Sequence, residues 1–331
     1  MTTGPFHNRS LSAYRFLITG GAGFIGSNLV AYLLQHGAGH IRILDNLLTG
    51  SMKNIEHLLK EKNIEFIEGD IRDAATCEKA CQGIDFVSHQ AALGSVPRSI
   101  KDPLATHAIN STGFLNMIHA AKNSGVKRFV YASSSSVYGD HTALPKVEDH
   151  TGNPLSPYAV TKKTNELYAS VFARNYKLEV IGLRYFNVFG PNQSPEGPYA
   201  AVIPLFMQAA LNGTSPAIDG DGDQTRDFTY VDNAVQANVR AFFAENPMAV
   251  DQVYNVAVGE KISIKAVYEM IATIAGSTAK AVHRESRAGD IRESLASISK
   301  AQQLLGYSPT VDVRKGLQHT MDWFRKQGDL L

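Results

Sequence analysis

Residues 14–26 read Y-R-F-L-I-T-G-G-A-G-F-I-G, from Tyr14 to Gly26. A short apolar run ends in glycines, and a helical pattern with Ile25, Leu29, Leu33 and Leu34 on one side follows at once. This is a buried strand feeding a tight turn that opens a helix. Gly20, Gly23 and Gly26 stand where a turn, a close approach to pyrophosphate and helix–sheet packing each disfavour a Cβ atom. The helix N-terminus then offers amide donors and the positive end of a dipole to an anion. The spacing is G-x-x-G-x-x-G, and a glycine-rich helix entrance without a ligand is the competing reading.

Outward from this turn, strand and helix alternate. Strands are predicted at Tyr14–Thr19, Ile41–Asp45, Glu65–Ile67, Phe86–His89, Phe129–Ala132 and Val180–Tyr185. Helical patterns lie at 24–34 and about 73–82, 103–124 and 156–175. Alternation of this kind implies an α/β fold, a Rossmann-type doubly wound parallel sheet. Right-handed crossovers place all strand C-termini on one edge, where ligands bind. The glycine turn, Asp45, Asp70, Ala91-Ala92, Ser133-Ser134 and Tyr185 all fall just past a predicted strand end.

After residue 186 the pattern becomes rich in proline, with Pro191, Pro195, Pro198 and Pro204. Asp219–Asp223, D-G-D-G-D, reads as a hairpin turn; as a calcium loop it fails, because its twelfth residue is Tyr230 and not a glutamate. A strand at Val253–Val258 and helices at about 263–275, 299–305 and 313–326 complete a smaller mixed α/β lobe. The expected organisation is a dinucleotide-binding domain over 1–186 with a return segment at about 229–258, and a substrate lobe over 187–331.

The chain has 331 residues, 44% of them hydrophobic, and a net charge of +1. Disorder is therefore not expected, and the charge gives no reason to expect nucleic acid or an anionic membrane as partner. No apolar run approaches the roughly 18 residues of a membrane span. The N-terminus lacks a signal peptide's apolar segment, so a reducing cytoplasm is the default expectation. Cys77 and Cys81 are the only cysteines, and their spacing suits core thiols on one helix face.

Asp45 is the expected acceptor for a ribose hydroxyl. A carboxylate there repels a 2′-phosphate, and no arginine occupies 46–50, so NAD is favoured over NADP. Asp70 fits an acceptor at the adenine edge, or a plain turn residue. Tyr158–Lys162 reads Y-A-V-T-K, which puts phenol and ammonium on one helix face. A phenol titrates near ~10. It serves as a base at neutral pH only if nearby positive charge favours the phenolate, the role expected of Lys162. Ser134 is expected to bridge the phenol and a substrate hydroxyl.

These residues resemble an extended short-chain dehydrogenase/reductase, and within it the nucleotide-sugar 4-epimerases. T-G-G-A-G-F-I-G, Asp45-Asn46, Gly69-Asp70-Ile71, His89-Gln90-Ala91-Ala92, S-S-S-S-V-Y-G, Y-A-V-T-K and R-Y-F-N-V-F-G-P match in order. The resemblance is especially close to bacterial UDP-N-acetylglucosamine 4-epimerases of surface-polysaccharide pathways, through G-S-V-P-R-S (94–99), Y-A-A-V-I-P (199–204) and G-D-I-R-E-S-L (289–295). It implies tightly held NAD contacted by Gly20, Gly23, Phe24, Ile25, Gly26, Asp45, Asn46, Thr49, Gly50, Asp70, Ile71, Gln90, Ala91, Ala92, Asn110, Ser133, Tyr158, Lys162 and Tyr185. Catalysis falls to Tyr158, Lys162 and Ser134. The UDP-sugar would meet Gly94, Ser95, Ser99, Ser134, Ser135, Ser136, Tyr158, Asn187, Arg226, Arg287, Asp290 and Ser294. Val202 and Ile203 either line a uracil pocket or pack in the core. No metal is implied.

Two positions narrow the implied activity. Related 4,6-dehydratases carry Thr-Asp-Glu where this chain has Ser134-Ser135-Ser136, and serines do not supply the acid and base that elimination needs. Ser294 matches a position that is bulky in glucose/galactose-only epimerases, which leaves room for an N-acetyl group. The expected function is thus C4 epimerisation of UDP-N-acetylhexosamines. A uronate counterpart is the near alternative, and a non-catalytic NAD sensor or a net dehydrogenase are the rivals. The resemblance also implies a homodimer through helices near 103–124 and 156–175.

Overall fold

The computed structural model describes residues 4–197, 199–285 and 292–328. Its first half runs β1 (Arg15–Thr19), α1 (Phe24–Gln35), β2 (His40–Asp45), β3 (Ile64–Glu68), α2 (Ala74–Cys81) and β4 (Phe86–His89). Then come α3 (Val96–Lys101), α4 (Pro103–His107), α5 (Gly113–Asn123), β5 (Arg128–Ser134), α6 (Pro157–Tyr176) and β6 (Glu179–Tyr185). These strands and a later one, β11 (Gln252–Val256), form a seven-stranded sheet in the order β11-β6-β5-β4-β1-β2-β3, parallel throughout. The fold is therefore the Rossmann-like α/β sheet that the alternating pattern implies. The strand order reverses between β1 and β4, and a crevice opens at such a reversal.

Period-two alternation assigns each strand residue to a face. Phe16, Ile18, Ile41, Ile43, Phe86, Val130, Ile181 and Leu183 join the core on the α1 side. Leu17, Leu44, Val87, Phe129, Tyr131 and Val180 join the core under α2, α5 and α6. With both faces covered, the strands read as near-continuous apolar runs. Each fully buried side chain of this kind contributes about 1.5–3 kcal/mol through removal from water.

The second half runs β7 (Val188–Phe189), α7 (Val202–Leu211), β8 (Ala217–Asp219), β9 (Thr225–Arg226), β10 (Thr229–Tyr230) and α8 (Val231–Phe242). It continues with β11 (Gln252–Val256), β12 (Ile262–Ser263), α9 (Ile264–Ala275), β13 (Val282–Arg284), α10 (Ser299–Leu305) and α11 (Val313–Gly328). A separate core of Phe206, Met207, Ile218, Val267, Ile271, Leu317 and Met321 joins α7, α9 and α11.

Three local outcomes differ from the sequence pattern. The helix expected over 103–124 is interrupted by a π-helical stretch at Ala108–Thr112. Asp219–Asp223 does turn, but it makes no hairpin: β8 pairs with β13 and β9 with β12. Strand β5 extends through Ser133 and Ser134, which therefore sit on rigid backbone at the sheet edge. Among the described residues no helix is long and apolar enough to cross a membrane.

Candidate active site

The turn after β1 is built for close approach. Gly20 has φ of +66°, and a Cβ there would lie 2.7 Å from the Ala91 nitrogen on the neighbouring strand end. A Cβ on Gly26 would lie 2.2 Å from the Gly20 carbonyl oxygen. Gly23 precedes α1 and no side chain caps that helix, which leaves its first-turn amides facing the crevice for an anion.

Asp45, buried at the end of β2, accepts from the backbone amides of Ala22 and Leu47 at 2.9 Å each. Burial raises its pKa, and these amides offset part of the rise. Gly50 closes over it, since a Cβ there would stand 3.0 Å from both carboxylate oxygens. Asp70 is already engaged: Arg72 and Asn46 donate to it at 2.7 Å each, and chiefly the Arg72 bond pulls its pKa down to about 2.

Helix α6 is started by Ser156, whose Oγ accepts from the Ala159 amide at 3.1 Å, with Pro157 in the first turn. That cap puts Tyr158 in the first turn and Lys162 one turn later, against the end of β5. The Lys162 ammonium donates to the Ala132 carbonyl at 2.8 Å and stands 5.8 Å from the Tyr158 ring centroid. Ser134 Oγ accepts from the Ser136 amide at 3.1 Å, which frees its proton for the Tyr158 phenol to which it is hydrogen-bonded.

The electrostatics correct one expectation. Lys162 was expected to hold the phenol acidic. Instead, burial pushes the Tyr158 pKa up, and the Ser134 bond offsets only part of that. The cost of burial falls on the ammonium as well, whose pKa drops to about 8 while Glu166 opposes the fall. Both charged forms lose hydration in this pocket, and for each that loss is the largest cause of its shift.

These groups share one cavity of about 560 Å³ at the C-terminal edge of the sheet. Such a volume is ordinary for a small-molecule site. Gly20, Gly23, Phe24, Ile25, Gly26, Asp45, Asn46, Thr49, Ile71, Gln90, Ala91, Ala92, Gly94, Ser133, Ser134, Ser135, Tyr158, Lys162, Tyr185 and Asn187 line it. Gly50, Asp70, Ser95, Ser136, Val202, Arg226 and Ser294 are not among its lining residues. Ile203 packs into the core that joins α7, α9 and α11, and Arg226 donates to the Thr225 carbonyl at 2.8 Å. Ser99 is buried and donates to the Val96 carbonyl. Arg287 and Asp290 lie outside the described residues.

Asn110, in the π-helical stretch, stands behind the wall. It accepts from the Leu93 amide at 2.7 Å and donates to Leu93 O at 3.1 Å and Thr161 Oγ1 at 3.2 Å. It thus ties the loop after β4 to α6 beside Lys162. Sequence reasoning missed Gln193, Glu196 and Tyr199 on the opposite lip. The Arg98 guanidinium lies 4.9 Å from the Tyr199 ring centroid. The proline-rich stretch after β6 was the available signal, because long irregular loops often carry function.

A nucleotide cradle and a phenol–lysine–serine cluster on a doubly wound sheet define a class, and sequence comparison agrees. Residues 16–257 match the NAD dependent epimerase/dehydratase family, and the chain belongs to it. A UDP-glucose 4-epimerase of Mycolicibacterium smegmatis is 36% identical over 95% of this chain and 99% of its own. The structure of a UDP-N-acetylglucosamine 4-epimerase from Methanobrevibacter ruminantium, in complex with UDP-N-acetylmuramic acid, is 39% identical with a TM-score of 0.90, covering 95% of this chain and 99% of that one. A UDP-glucuronic acid 4-epimerase from Bacillus cereus, in complex with UDP-glucuronic acid and NAD, is 34% identical with a TM-score of 0.88 over the same shares. Within the family this chain stands with the NAD-dependent UDP-sugar 4-epimerases. The residues present fit the cofactor: the space a Cβ would fill at Gly20 and Gly26 is backbone-tight, the α1 amides are uncapped, and Asp45 closes the cradle.

Proposed function

We propose that the protein interconverts UDP-N-acetylglucosamine and UDP-N-acetylgalactosamine by inverting C4, with some tolerance for UDP-glucose and UDP-galactose. The observation that carries this reading is the meeting of Tyr158, Ser134 and the glycine cradle in one cavity whose serine strand end, Ser133 to Ser135, offers no carboxylate. Oxidation and return at C4 need only the phenol's proton traffic, whereas elimination needs a further acid and base. The choice of an N-acetylated sugar is supported by Gly94 on the cavity wall, where a Cβ would meet nothing within 4 Å. The likeness to the Methanobrevibacter ruminantium enzyme supports it too.

NAD, when bound, supplies a hydride acceptor that can return the hydride to either face of the sugar carbon. In this reading Gly20, Gly23 and Gly26 hold its pyrophosphate against α1, and Asp45 receives a ribose hydroxyl. Tyr158 Oη takes the proton of the 4-hydroxyl and later gives it back. Ser134 Oγ hydrogen-bonds the same oxygen and steadies it. Lys162 keeps a positive charge beside the phenol. Asn187 and Arg226, with Arg287 and Asp290 outside the described residues, anchor the UDP, so that the hexose can turn over between proton removal and return. The NAD portion belongs to residues 1–186 with the return segment near 229–258, and the UDP portion to 187–331. The protein acts in the cytoplasm as a homodimer. Exposed apolar side chains Leu104, Leu167, Tyr168 and Val171 on α4 and α6 support pairing through that face.

A second reading has a specific observation behind it. Arg98 lines the cavity, and a guanidinium suits the carboxylate of a UDP-N-acetylhexosaminuronate. Steady-state kinetics on UDP-N-acetylglucosamine and its uronate test the two. A kcat/KM higher for the neutral sugar supports the first reading, and a large advantage for the uronate replaces it with the second.

A further inference from the structure

One buried carboxylate near the cavity has no part in the chemistry described so far. Glu166 lies on α6 one turn beyond Lys162 and is buried. Its Oε1 accepts from Ser133 Oγ at 2.6 Å and from Arg184 Nε at 2.8 Å, and its Oε2 accepts from Arg184 Nη2 at 2.9 Å. Arg184, on β6 and itself buried, also donates to the Tyr138 hydroxyl at 3.1 Å and the Glu148 carbonyl at 2.9 Å. Three elements therefore converge on one carboxylate: α6, which carries Tyr158 and Lys162; β5, which carries Ser133 and Ser134; and β6, which ends in Tyr185.

We propose that Glu166 is a positioning residue of the active site: gripped by Ser133 and Arg184, it sets α6 against the end of β5 and supplies the negative charge that the Lys162 ammonium faces from the next helical turn. A buried ion pair is weak evidence of a stability role, because desolvation consumes most of the Coulomb gain. This one is placed where register matters instead. Ser133 Oγ binds Glu166 while the adjacent Ser134 reaches Tyr158, and Lys162 binds the carbonyl of Ala132 just before them. A shift of α6 along β5 would disturb all three contacts together.

The charge has its own consequence. Among the described residues, Tyr158 and Glu166 bear on Lys162 from its own helix and His89 from β4, while Arg184 on β6 and Lys163, whose Nζ lies 3.9 Å from Oε2, share the Glu166 carboxylate. His89 is neutral, pushed down to about 3 by burial and by the ammonium. Burial drives Lys162 toward its neutral form, and Glu166 opposes this. Without the carboxylate, the lysine loses its charge at a lower pH.

The test rests on the epimerase reading for one readout and not for the other. In the protein as purified with its cofactor, Glu166→Gln is expected to keep its secondary structure and leave KM within about threefold. Its kcat at alkaline pH falls at least about tenfold, and the pH at which the rate stops climbing moves down by about one to three units, the range for loss of a nearby opposite charge. Independently, NMR of lysine labelled with 13C at Cε, with the Lys162 signal assigned through Lys162→Arg, reads the ammonium's titration and should show the same downward move. Wild-type protein inactive on every UDP-sugar sinks the epimerase reading but leaves the titration standing. If Glu166→Gln does not fold, the double variant Glu166→Leu/Arg184→Met, which leaves no unpaired buried guanidinium, carries both readouts. An unmoved break in the rate profile and an unmoved Lys162 titration in a folded variant overturn the proposal.

Discussion

The ammonium of Lys162 is fastened to the carbonyl of Ala132 at 2.8 Å, the residue directly before the serine pair at the end of β5. The cation therefore belongs to the sheet edge as much as to its helix. Strand and helix together set its distance from Tyr158, and neither can move without the other. A charge held this way is buried, which explains why its pKa falls to about 8.

Replacing Tyr158 by Phe removes the proton carrier and little else. We expect kcat to fall by about 10²–10⁴-fold, the usual worth of a positioned acid/base. The thermal midpoint should stay within a degree or two of wild type. A variant retaining half the wild-type rate would show that another group moves the proton.

The pH–rate profile follows from two directions. The Tyr158 phenol is raised from its ordinary value, so its basic form grows as pH rises. Lys162 loses its charge as pH passes about 8. Rate should therefore climb through neutral pH and level off above about 8, where each further loss of ammonium cancels a gain in phenolate. A profile flat from pH 6 to 8 contradicts the assignment of the phenol, and one still climbing tenfold per unit from 8 to 10 contradicts that of the lysine.

Stability gives a separate check on Lys162. Its folded pKa of about 8 lies below the ordinary 10.5, so between those values the unfolded chain binds the extra proton and stability rises with pH. Below about 8 the full cost of burying the charge is present. Lys162→Met should thus lose activity yet raise unfolding free energy at pH 7 by up to about 3 kcal/mol. The gain over wild type should shrink by pH 10. Urea unfolding at the two pH values measures it, and a variant less stable than wild type at pH 7 would refute the assigned cost.

Gly26→Ala places a methyl group 2.2 Å from the Gly20 carbonyl oxygen, a backbone atom that cannot swing aside. The variant should purify without NAD and melt at a lower temperature. Mass spectrometry of the released cofactor decides this, and a full complement of NAD would show that the cradle tolerates a side chain.

Arg98 separates the two substrate readings. Under the neutral-sugar reading, Arg98→Ala changes kcat/KM for UDP-N-acetylglucosamine by less than about fivefold. Under the uronate reading, loss of a guanidinium–carboxylate pair lowers kcat/KM for the uronate by about tenfold or more, as expected for charge-assisted hydrogen bonds. Measuring both substrates on both proteins distinguishes them.

Much of the site was legible because it sits where strand ends force it. Gly20, Asp45, Ala91, Ser134 and Tyr185 each follow from an apolar run stopping at a predictable place, and β-strand alternation fixes which face each residue joins. The direction of the Tyr158 shift was not legible. Spacing shows that Lys162 is near, but the loss of hydration that dominates the shift depends on how far the folded chain buries the phenol. The lip formed by Arg98 and Tyr199 was hidden for a related reason: residue 199 lies in an irregular segment whose course no periodicity encodes. The clamp of Asn110 on Leu93 and Thr161 depends on a π-helical stretch that a 3.6-residue pattern does not anticipate.

The most direct measurement is incubation of the purified protein, with no added cofactor, with UDP-N-acetylglucosamine, UDP-glucose and the N-acetylglucosaminuronate, with products followed by proton NMR. The account predicts conversion of UDP-N-acetylglucosamine to an equilibrium mixture with its C4 epimer, faster than either of the other two. Unchanged UDP-N-acetylglucosamine alongside rapid turnover of the uronate, or no turnover of any UDP-sugar by NAD-loaded protein, would contradict it.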